Sequence, residues 1–300
     1  MWFKQLTIYR LPDDKWPDVL AFEAALAAKP FTPVVGLDWF SEGYAAPCLA
    51  ASEGLIFGQK HHHLFALKRE DKVLPAGVIR DFLEAKVQDI EEKEQRKVGR
   101  KEKIDLKEQI IDDLLPRCFT RSGRTVAYLD LARGLLMVNA TGKRADALIG
   151  KIFEAYPEFR AALLKTNLSP ALAMTEWLLS GALPTGFALD DDCELKEAKE
   201  QGAIIRCRRM DLSAKEIAQH VEMGKQVSQL GLIWNDSIRF LLNDALQIKR
   251  IQFLDTLQEE VSSAGEDKAL LMGATLLIMA EALGDLTNDL LAALGNEIAA

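Results

Sequence analysis

The sequence predicts an α+β fold built on mainly antiparallel sheets. Runs of β-branched and aromatic residues alternate with polar ones, as in strands, and amphipathic helical segments lie among them without a regular β-α-β rhythm. Hydrophobic residues make up 49% of the 300-residue chain, which suffices for a large buried core. We therefore expect a globular α+β protein from which one helical hairpin protrudes.

The N-terminal part predicts strands with one helix among them. Residues 1–11 alternate apolar and polar side chains and predict a strand. After Pro12, apolar periodicity predicts a helix over 16–28, and residues 54–57 and 63–69 predict two short strands.

Two successive helices are predicted between residues 76 and 116. Apolar side chains recur at i, i+3 and i+4 over 76–98, and the pattern resumes over 101–116 until Pro116 ends it. Gly99 and the cations around it indicate a basic turn. We expect an antiparallel helical hairpin, with one long kinked helix as the alternative.

The remaining elements are predicted from turn and capping signals. Residues 124–140 predict a β-hairpin that turns near Gly134, and 142–156 predict a helix. A short helix begins with Ser169 as N-cap and Pro170 in its first turn.

Further along, "AIIRCRRM" (203–210) predicts a strand, and Ser213 with Glu216 has the capping-box pattern of a helix start. Asn-Asp pairs divide 228–254 into a meander of three strands, and 265–294 predict helix.

These elements predict three regions. They are a central region of 1–75 with 125–180, a tip region of 76–124 with about 181–225, and a base region of 226–300.

Composition favours a cytoplasmic protein that does not span a membrane. Lys4 and Arg10 stand where a signal peptide needs an apolar stretch. The longest apolar run, 269–280, has 12 residues, fewer than the roughly 20 of a spanning helix, and predicts a buried helix. The four cysteines include no C-x-x-C pair and are expected to be free thiols in a reducing compartment: Cys48, Cys118, Cys193 and Cys207.

Positive charge is concentrated in one stretch of an acidic chain. The formal net charge is -8, yet residues 93–144 hold thirteen Lys and Arg against seven Asp and Glu. A local excess of this kind points to an anionic partner such as nucleic acid, although the total charge alone argues against one.

The turn of the predicted helical hairpin carries the first candidate DNA contacts. Arg96, Lys97, Arg100 and Lys101 lie around it. Neighbouring glutamates make a solvated, salt-bridged face an equal alternative.

A second set lies in "IIRCRRM". Strand alternation predicts that Arg206 and Arg208 share one face while Arg209 points to the other. Because adjacent arginines repel unless an anion or an acidic residue faces them, contact with an anion is the favoured interpretation.

The third set surrounds an aromatic residue. Arg117, Arg121 and Arg124 lie in a segment, 114–125, that has no acidic residue, and guanidinium groups suit bidentate phosphate contacts. Phe119 is either a core residue or an exposed tip that needs a partner surface or a base to stack on.

The chain carries no recognisable enzyme signature. His61–His63 invite a metal interpretation, but only His61 and His63 can share a strand face, and solvated histidines at a strand edge are expected. Asp190–Asp192 and Asp112-Asp113 could hold Mg²⁺, but the favoured interpretation is that Asp112-Asp113 lie near a helix end and that Asp190–Asp192 precede a helical stretch, where acids suit the helix dipole. We expect no catalytic residue, metal or cofactor, with a metal-dependent nuclease as the alternative.

Several ordered blocks resemble the recombination-associated protein RdgC family over essentially the full length. They are "MWFKQLTIYRL" (1–11), "KVLPAGVIRDFLEAK" (72–86), "LLPRCFTR" (114–121), "GLLMVNA" (134–140), "MTEWLLSG" (174–181), "GAIIRCRRMDLSAKEIAQHVEMGK" (202–225) and "IKRIQFLD" (248–255).

The resemblance implies a nucleoid-associated protein that restrains RecA-mediated recombination. Such a protein binds double-stranded DNA, and single-stranded DNA more weakly, with little sequence preference. Two horseshoe-shaped subunits would close into a homodimeric ring whose basic hole encircles duplex. Phe119 matches a phenylalanine that closes one subunit contact, Arg117 a tip arginine, and Arg208-Arg209 a basic pair near the gate. Direct protein inhibition of a recombinase is a further alternative.

Overall fold

The computed structural model describes residues 1–12, 16–48, 54–197, 199, 202–262 and 267–298. The chain divides into two compact units. Unit 1 comprises Met1–Leu26, Ala46–Phe65 and Thr125–Ala300, and unit 2 comprises Ala27–Ala45 and Ala66–Arg124. Helices and antiparallel strands are interspersed, which confirms the predicted α+β class.

Twelve strands lie in the described residues. In chain order they are β1 (Gln5–Arg10), β2 (Phe40–Ala45), β3 (Ile56–Gln59), β4 (His62–Val73), β5 (Phe119–Asp130), β6 (Leu135–Val138), β7 (Ala162–Leu163), β8 (Phe187–Glu197), β9 (Ile204–Cys207), β10 (Lys225–Trp234), β11 (Ile238–Asn243) and β12 (Ile248–Phe253).

The same part of the chain forms eight α-helices. They are α1 (Val19–Ala27), α2 (Ala76–Glu94), α3 (Arg100–Leu114), α4 (Lys143–Ala155), α5 (Pro170–Ser180), α6 (Lys215–Glu222), α7 (Asp255–Ser262) and α8 (Lys268–Ala293).

Unit 1 is built on a sheet with the strand order β5-β6-β1-β12-β11-β10-β8-β9. β1 joins its two halves, because Thr7 lies opposite Val138 of β6 and Gln5 lies opposite Lys249 of β12. The predicted meander is confirmed by β10, β11 and β12. Asn235 and Asp236 connect the first two of these strands with φ angles of 46° and 49°, which Asn and Asp adopt more readily than other residues with side chains.

The long C-terminal helix is part of the core of unit 1. α8 is long and apolar enough to cross a membrane by length and composition, but more than half of its most apolar stretch is buried inside the protein. Its buried side chains include Leu276, Met279, Leu283 and Leu290. Oδ1 of Asp267 accepts the Ala269 amide at 2.7 Å and caps the helix. The buried helix is confirmed; residues 265 and 266 of the predicted span lie outside the described residues.

Unit 2 contains the predicted helical hairpin. α2 and α3 pack against each other and are separate helices, so the alternative of one kinked helix is wrong. Gln95 ends α2 with a left-handed φ of 50°, and Gly99 is the N-cap residue of α3. In the same unit β2 pairs with β4, from Phe40 opposite Asp71 to Ala45 opposite Ala66.

Residues 187–197 form strand β8, so the helical interpretation of the stretch that follows Asp190–Asp192 is wrong. Asp192 lies 2.6 Å from Arg250 of β12, and Asp190 lies 3.4 Å from Arg239 of β11. Gly231 of β10 allows the backbone of β8 to approach closely, since a Cβ there would lie 2.9 Å from the Asp192 carbonyl oxygen. These acids therefore face arginines on the sheet instead of a helix dipole.

Two predicted caps differ from the structure. α6 begins at Lys215 with Ala214 as N-cap, and the Ser213 hydroxyl donates to Asp211 Oδ1 at 2.6 Å, so the predicted capping box is wrong. Ser169 occupies the N-cap position of α5 with Pro170 after it, as predicted, but its side chain makes no capping bond.

The compact units cut across the three regions predicted from sequence. Residues 76–124 lie in unit 2, whereas 181–225, which the sequence groups with them, lie in unit 1. The three-region division stays a prediction.

Candidate nucleic-acid interface

The turn between α2 and α3 presents cations to solvent. Lys97, Arg100 and Lys101 are exposed, and none of them forms an ion pair with a described residue. The turn is held in place from within, because the Val98 amide donates to Glu91 Oε1 at 3.0 Å and Val98 itself is buried. These three side chains are therefore available to an anion without breaking an ion pair with a described residue.

Arg96, in the same turn, is engaged differently. Its guanidinium donates to both oxygens of Glu102 at 2.7 Å and to Glu94 at 2.6 Å. The hydrogen bonds that Arg96 donates to Glu102 and Glu94 raise the pKa of Arg96. Because its charge is already balanced, Arg96 ties the turn to the first turn of α3 and is the weakest of the four candidate DNA contacts near the turn.

Residues 117–124 place an exposed aromatic ring between two exposed arginines. Phe119 begins β5 and is 88% exposed, so it is not a core residue of this chain. Arg117 ends a short 3-10 turn just before it, and Arg121 follows two residues later. In a strand, residues two apart share a face, which places Phe119 and Arg121 on the same side of β5. Neither arginine pairs with an acid among the described residues.

The opposite face of this part of β5 is not free of acidic groups. Alternation assigns Ser122 and Arg124 to that face, and the Ser122 hydroxyl donates to Glu70 at 2.9 Å. Glu70 also accepts the Val34 amide at 3.0 Å, and these two bonds lower its pKa. The segment lacks acidic residues in sequence, but the fold brings Glu70 against it, so Arg124 is a weaker candidate than Arg121.

In unit 1 another set of arginines lines a cavity of about 200 Å³ at the β8–β9 edge of the sheet. These are Arg206, Arg208 and Arg250. β9 ends at Cys207, and Arg209 has a left-handed φ of 53°. Arg208 therefore lies beyond the strand, where alternation does not assign its face, but Arg206 and Arg208 do line the same cavity. The chain bends away because the amides of Arg209 and Met210 donate to Asp192 Oδ1 and the Asp191 carbonyl oxygen at 3.3 and 3.1 Å.

Within this cavity the charges are unequally compensated. Arg206 lies opposite Glu194 across the two strands, 2.6 Å from its carboxylate, and Arg250 pairs with Asp192. Arg208 lines the same cavity, is exposed, and forms no ion pair with a described residue. Arg208 is therefore the cation of this set that a phosphate reaches without competition from a carboxylate.

The three adjacent histidines, His61–His63, differ in their exposure to solvent. His62 is buried, its Nε2 lies 3.6 Å from Asp130 Oδ2, and its ring centroid lies 5.9 Å from that of Tyr128. The expectation of three solvated histidines is wrong for His62, because strand alternation turns it inward while His61 is exposed. Among the residues that the structure describes, no group of three or more His, Cys, Asp or Glu side chains could hold a metal ion.

Comparison with known proteins places these features in a family. A family model described as "Putative exonuclease, RdgC" matches residues 1–297. The chain belongs to the RdgC family. It is 51% identical over 297 residues to the "Recombination-associated protein RdgC" of Laribacter hongkongensis, covering 99% of both chains. The relatives of the same name from Neisseria meningitidis serogroup C (strain 053442) and Pseudomonas syringae pv. syringae are 48% and 37% identical, covering 98% and 99% of this chain and 99% and 98% of theirs.

Proposed function

We propose that this protein is a sequence-nonspecific DNA-binding protein that acts in recombination. The observation that carries the proposal is the set of exposed cations without acidic partners among the described residues, in a chain with 45 acidic and only 37 basic residues. Among the predicted DNA contacts they are Lys97, Arg100, Lys101, Arg117, Arg121, Arg208 and Arg209. Cations of this kind contact phosphates, which are present at every base pair, so binding is salt-sensitive and independent of sequence.

We further propose that two copies form a homodimeric ring around duplex DNA. Phe119 is the proposed closing contact, because a phenylalanine that is 88% exposed at a strand end gains much by burial against a second surface. Encircled or coated duplex is less accessible to RecA, so the protein would restrain recombination by occlusion. A protein bound to chromosomal DNA in this way would be associated with the nucleoid in the cytoplasm. The family membership and the resemblance of the tip segment support this proposal.

A salt titration tests the DNA-binding proposal. Affinity for a duplex is measured by fluorescence anisotropy, and the logarithm of the binding constant should fall linearly with the logarithm of salt, with a slope of about -0.9 per phosphate neutralised. The triple variant Lys97→Ala/Arg100→Ala/Lys101→Ala should bind more weakly and with a shallower slope.

A matched control removes the same charge elsewhere on the helical hairpin. Arg80→Ala/Lys86→Ala/Lys93→Ala also loses three positive charges from exposed positions of α2, two of them already beside acidic side chains. This variant should keep most of the affinity. Equal losses in both triple variants, or a strong preference for one DNA sequence, would reject the proposed contacts.

Exonuclease activity is a second candidate, favoured by the description of the family model. Incubation of labelled linear duplex with the protein and Mg²⁺ or Mn²⁺ distinguishes the two functions, because a binding protein retards the DNA without shortening it. Direct inhibition of a recombinase is tested separately: inhibition of strand exchange that persists with excess competitor DNA would favour a protein target.

A further inference from the structure

Two free cysteines face each other across the outermost strands of the unit 1 sheet. Cys193 of β8 and Cys207 of β9 are directly paired in the antiparallel register, and both are reduced. Paired residues in antiparallel strands have Cα atoms about 4.5 or 5.5 Å apart, according to the type of pair. Both spacings fall inside the range of about 4.4 to 6.8 Å that disulfides span, so a bond here requires little movement of the backbone.

The two thiols differ in their surroundings. Cys193 is 3% exposed, and burial together with the adjacent Cys207 thiol raises the pKa of Cys193 to about 12. Cys207 is partly exposed on the edge strand. Cys207 is therefore the sulfur that a reagent meets first, and Cys193 is the sulfur positioned behind it.

The same cavity gives access to both sulfurs. Cys193 and Cys207 line the cavity of about 200 Å³ together with Arg206, Arg208 and Arg250. Three guanidinium groups against the carboxylates of Asp192 and Glu194 give this cavity an excess of positive charge. A small reagent that carries carboxylates is attracted to such a cavity.

We propose that Cys193 and Cys207 form a reversible intrachain disulfide by exchange with an anionic low-molecular-weight disulfide. The Cys207 thiolate attacks one sulfur of the reagent, forming a mixed disulfide and releasing one small thiolate. The Cys193 thiol then loses its proton to solvent, and its sulfur attacks the Cys207 sulfur and displaces the second small thiolate. The protein dithiol is oxidised by two electrons, and the reagent is reduced to two thiols.

The bond would act on the strand that carries the arginines. Among the described strands, β9 pairs only with β8, and it consists of four residues that include Arg206. Arg208 directly follows Cys207, the last residue of β9. A covalent bond at the last residue of β9 fastens this edge at the point where the chain bends toward Arg208. The modification site goes beyond the proposed DNA binding, and its test does not depend on DNA.

Peptide mapping by mass spectrometry tests the proposal. The full-length protein is incubated with mixtures of reduced and oxidised glutathione, free thiols are trapped by alkylation, and the protein is digested without reduction. We expect a crosslinked peptide that joins Cys193 to Cys207 and disappears when the reduced form is in excess. The Cys48→Ser/Cys118→Ser variant should give the same crosslink, because neither residue takes part.

Single variants identify the order of the two steps. Cys193→Ala should stop at a stable mixed disulfide of glutathione on Cys207, and Cys207→Ala should leave Cys193 unmodified. Wild-type protein that accumulates glutathione on Cys207 without the crosslink, or that crosslinks only between two chains, would overturn the proposal. The wild-type map decides this even if the buried Cys193→Ala variant does not fold.

Discussion

The Glu194 carboxylate lies 2.6 Å from the Arg206 guanidinium across β8 and β9. The same carboxylate accepts hydrogen bonds from Ser228 and Gln229 at 2.9 and 3.1 Å. Burial by itself would raise the pKa of Glu194, but the hydrogen bonds from Arg206, Ser228 and Gln229 outweigh burial and lower it. The pair is ionic at neutral pH, so the charge of Arg206 is compensated before any DNA arrives.

This pair predicts an unequal contribution of neighbouring arginines to DNA binding. Arg208→Ala should weaken duplex binding by about 1 kcal/mol, roughly fivefold, whereas Arg206→Ala should have a smaller effect because its charge is already compensated. Glu194→Gln should strengthen binding, since it removes the competing carboxylate and keeps the side-chain shape. Anisotropy titrations at one salt concentration measure all three, and an effect of Arg206→Ala larger than that of Arg208→Ala would contradict the assignment.

Phe119 should matter for assembly and not for the stability of the single chain. Because the ring is 88% exposed, Phe119→Ala should change the unfolding free energy of a monomer by no more than about 0.5 kcal/mol. If Phe119 closes a subunit contact, the same change should weaken that contact by about 2 kcal/mol or more, roughly thirtyfold in Kd. Sedimentation equilibrium measures the contact and urea unfolding measures the stability.

Phe82→Ala is the matched control, since Phe82 is a second exposed phenylalanine, on α2 of the same unit. It should leave both assembly and DNA binding unchanged. Loss of assembly in the Phe82 variant with none in the Phe119 variant would move the contact to the helical hairpin.

Asp130 should make the stability of unit 1 sensitive to acid. It is buried and accepts hydrogen bonds from the amides of Ala132 and Arg133 at 3.1 and 3.0 Å and from the Arg133 guanidinium at 3.1 Å. Burial alone would raise its pKa, but His62 and Arg133 outweigh burial and lower it. A lowered pKa in the folded state stabilises the fold above the unfolded value of about 3.9, and this contribution is lost as the pH falls through the folded value.

The variant Asp130→Asn should therefore be less stable than the wild type at pH 7, by about 1 to 3 kcal/mol. The difference should shrink as the pH falls below about 3.9 and through the lowered folded pKa, because the wild-type carboxylate becomes neutral as well. Urea unfolding at about pH 7, pH 4 and pH 2.5 gives the comparison. A difference that stays constant over this range would mean that the charge of Asp130 does not stabilise the fold.

Gly284 should resist a substitution that normally stabilises helices. A Cβ at this position of α8 would lie 2.5 Å from Arg133 Cζ. The guanidinium has little freedom to move, because Glu281 and Asp285 accept its hydrogen bonds at 2.8 and 2.9 Å. Gly284→Ala should therefore destabilise the protein by about 1 to 2 kcal/mol.

Gly150 of α4 provides the comparison, because outside its own turn of the helix no atom lies within 4 Å of a Cβ built there. Gly150→Ala should stabilise the protein by about 0.5 to 1 kcal/mol, the usual gain within a helix. Urea unfolding of both variants measures the two signs. Stabilisation by both would show that Arg133 is free to shift.

The sequence predicts elements whose apolar pattern coincides with their burial. The helical hairpin and the meander follow from local periodicity and turn residues, and both are confirmed. Strand β8 does not follow from local periodicity, because the acids of its first half have their partners, Arg239 and Arg250, on β11 and β12. Pairing between distant strands leaves no mark in a local pattern, and a run of aspartates therefore suggests a loop or a helix start.

At the candidate site, residue types identify the cations but not their partners. Alternation alone predicts that His62 faces away from its two neighbours, and its burial beside Asp130 agrees with that signal. The pairing of Arg206 with Glu194 follows only once both residues are assigned to adjacent strands. The proximity of Glu70 to Ser122 depends on the pairing of distant segments, which a single sequence does not reveal.

The central position of β1 has a consequence for synthesis on the ribosome. β6 can cover one edge of this strand early, but Gln5 finds its partner Lys249 only after most of the chain has been translated. At about 5 to 20 residues per second, the second edge stays open for roughly ten to fifty seconds. A nascent chain with an open, apolar strand edge for that long is a substrate for chaperones, and slower translation of the last third would lengthen its exposure to aggregation.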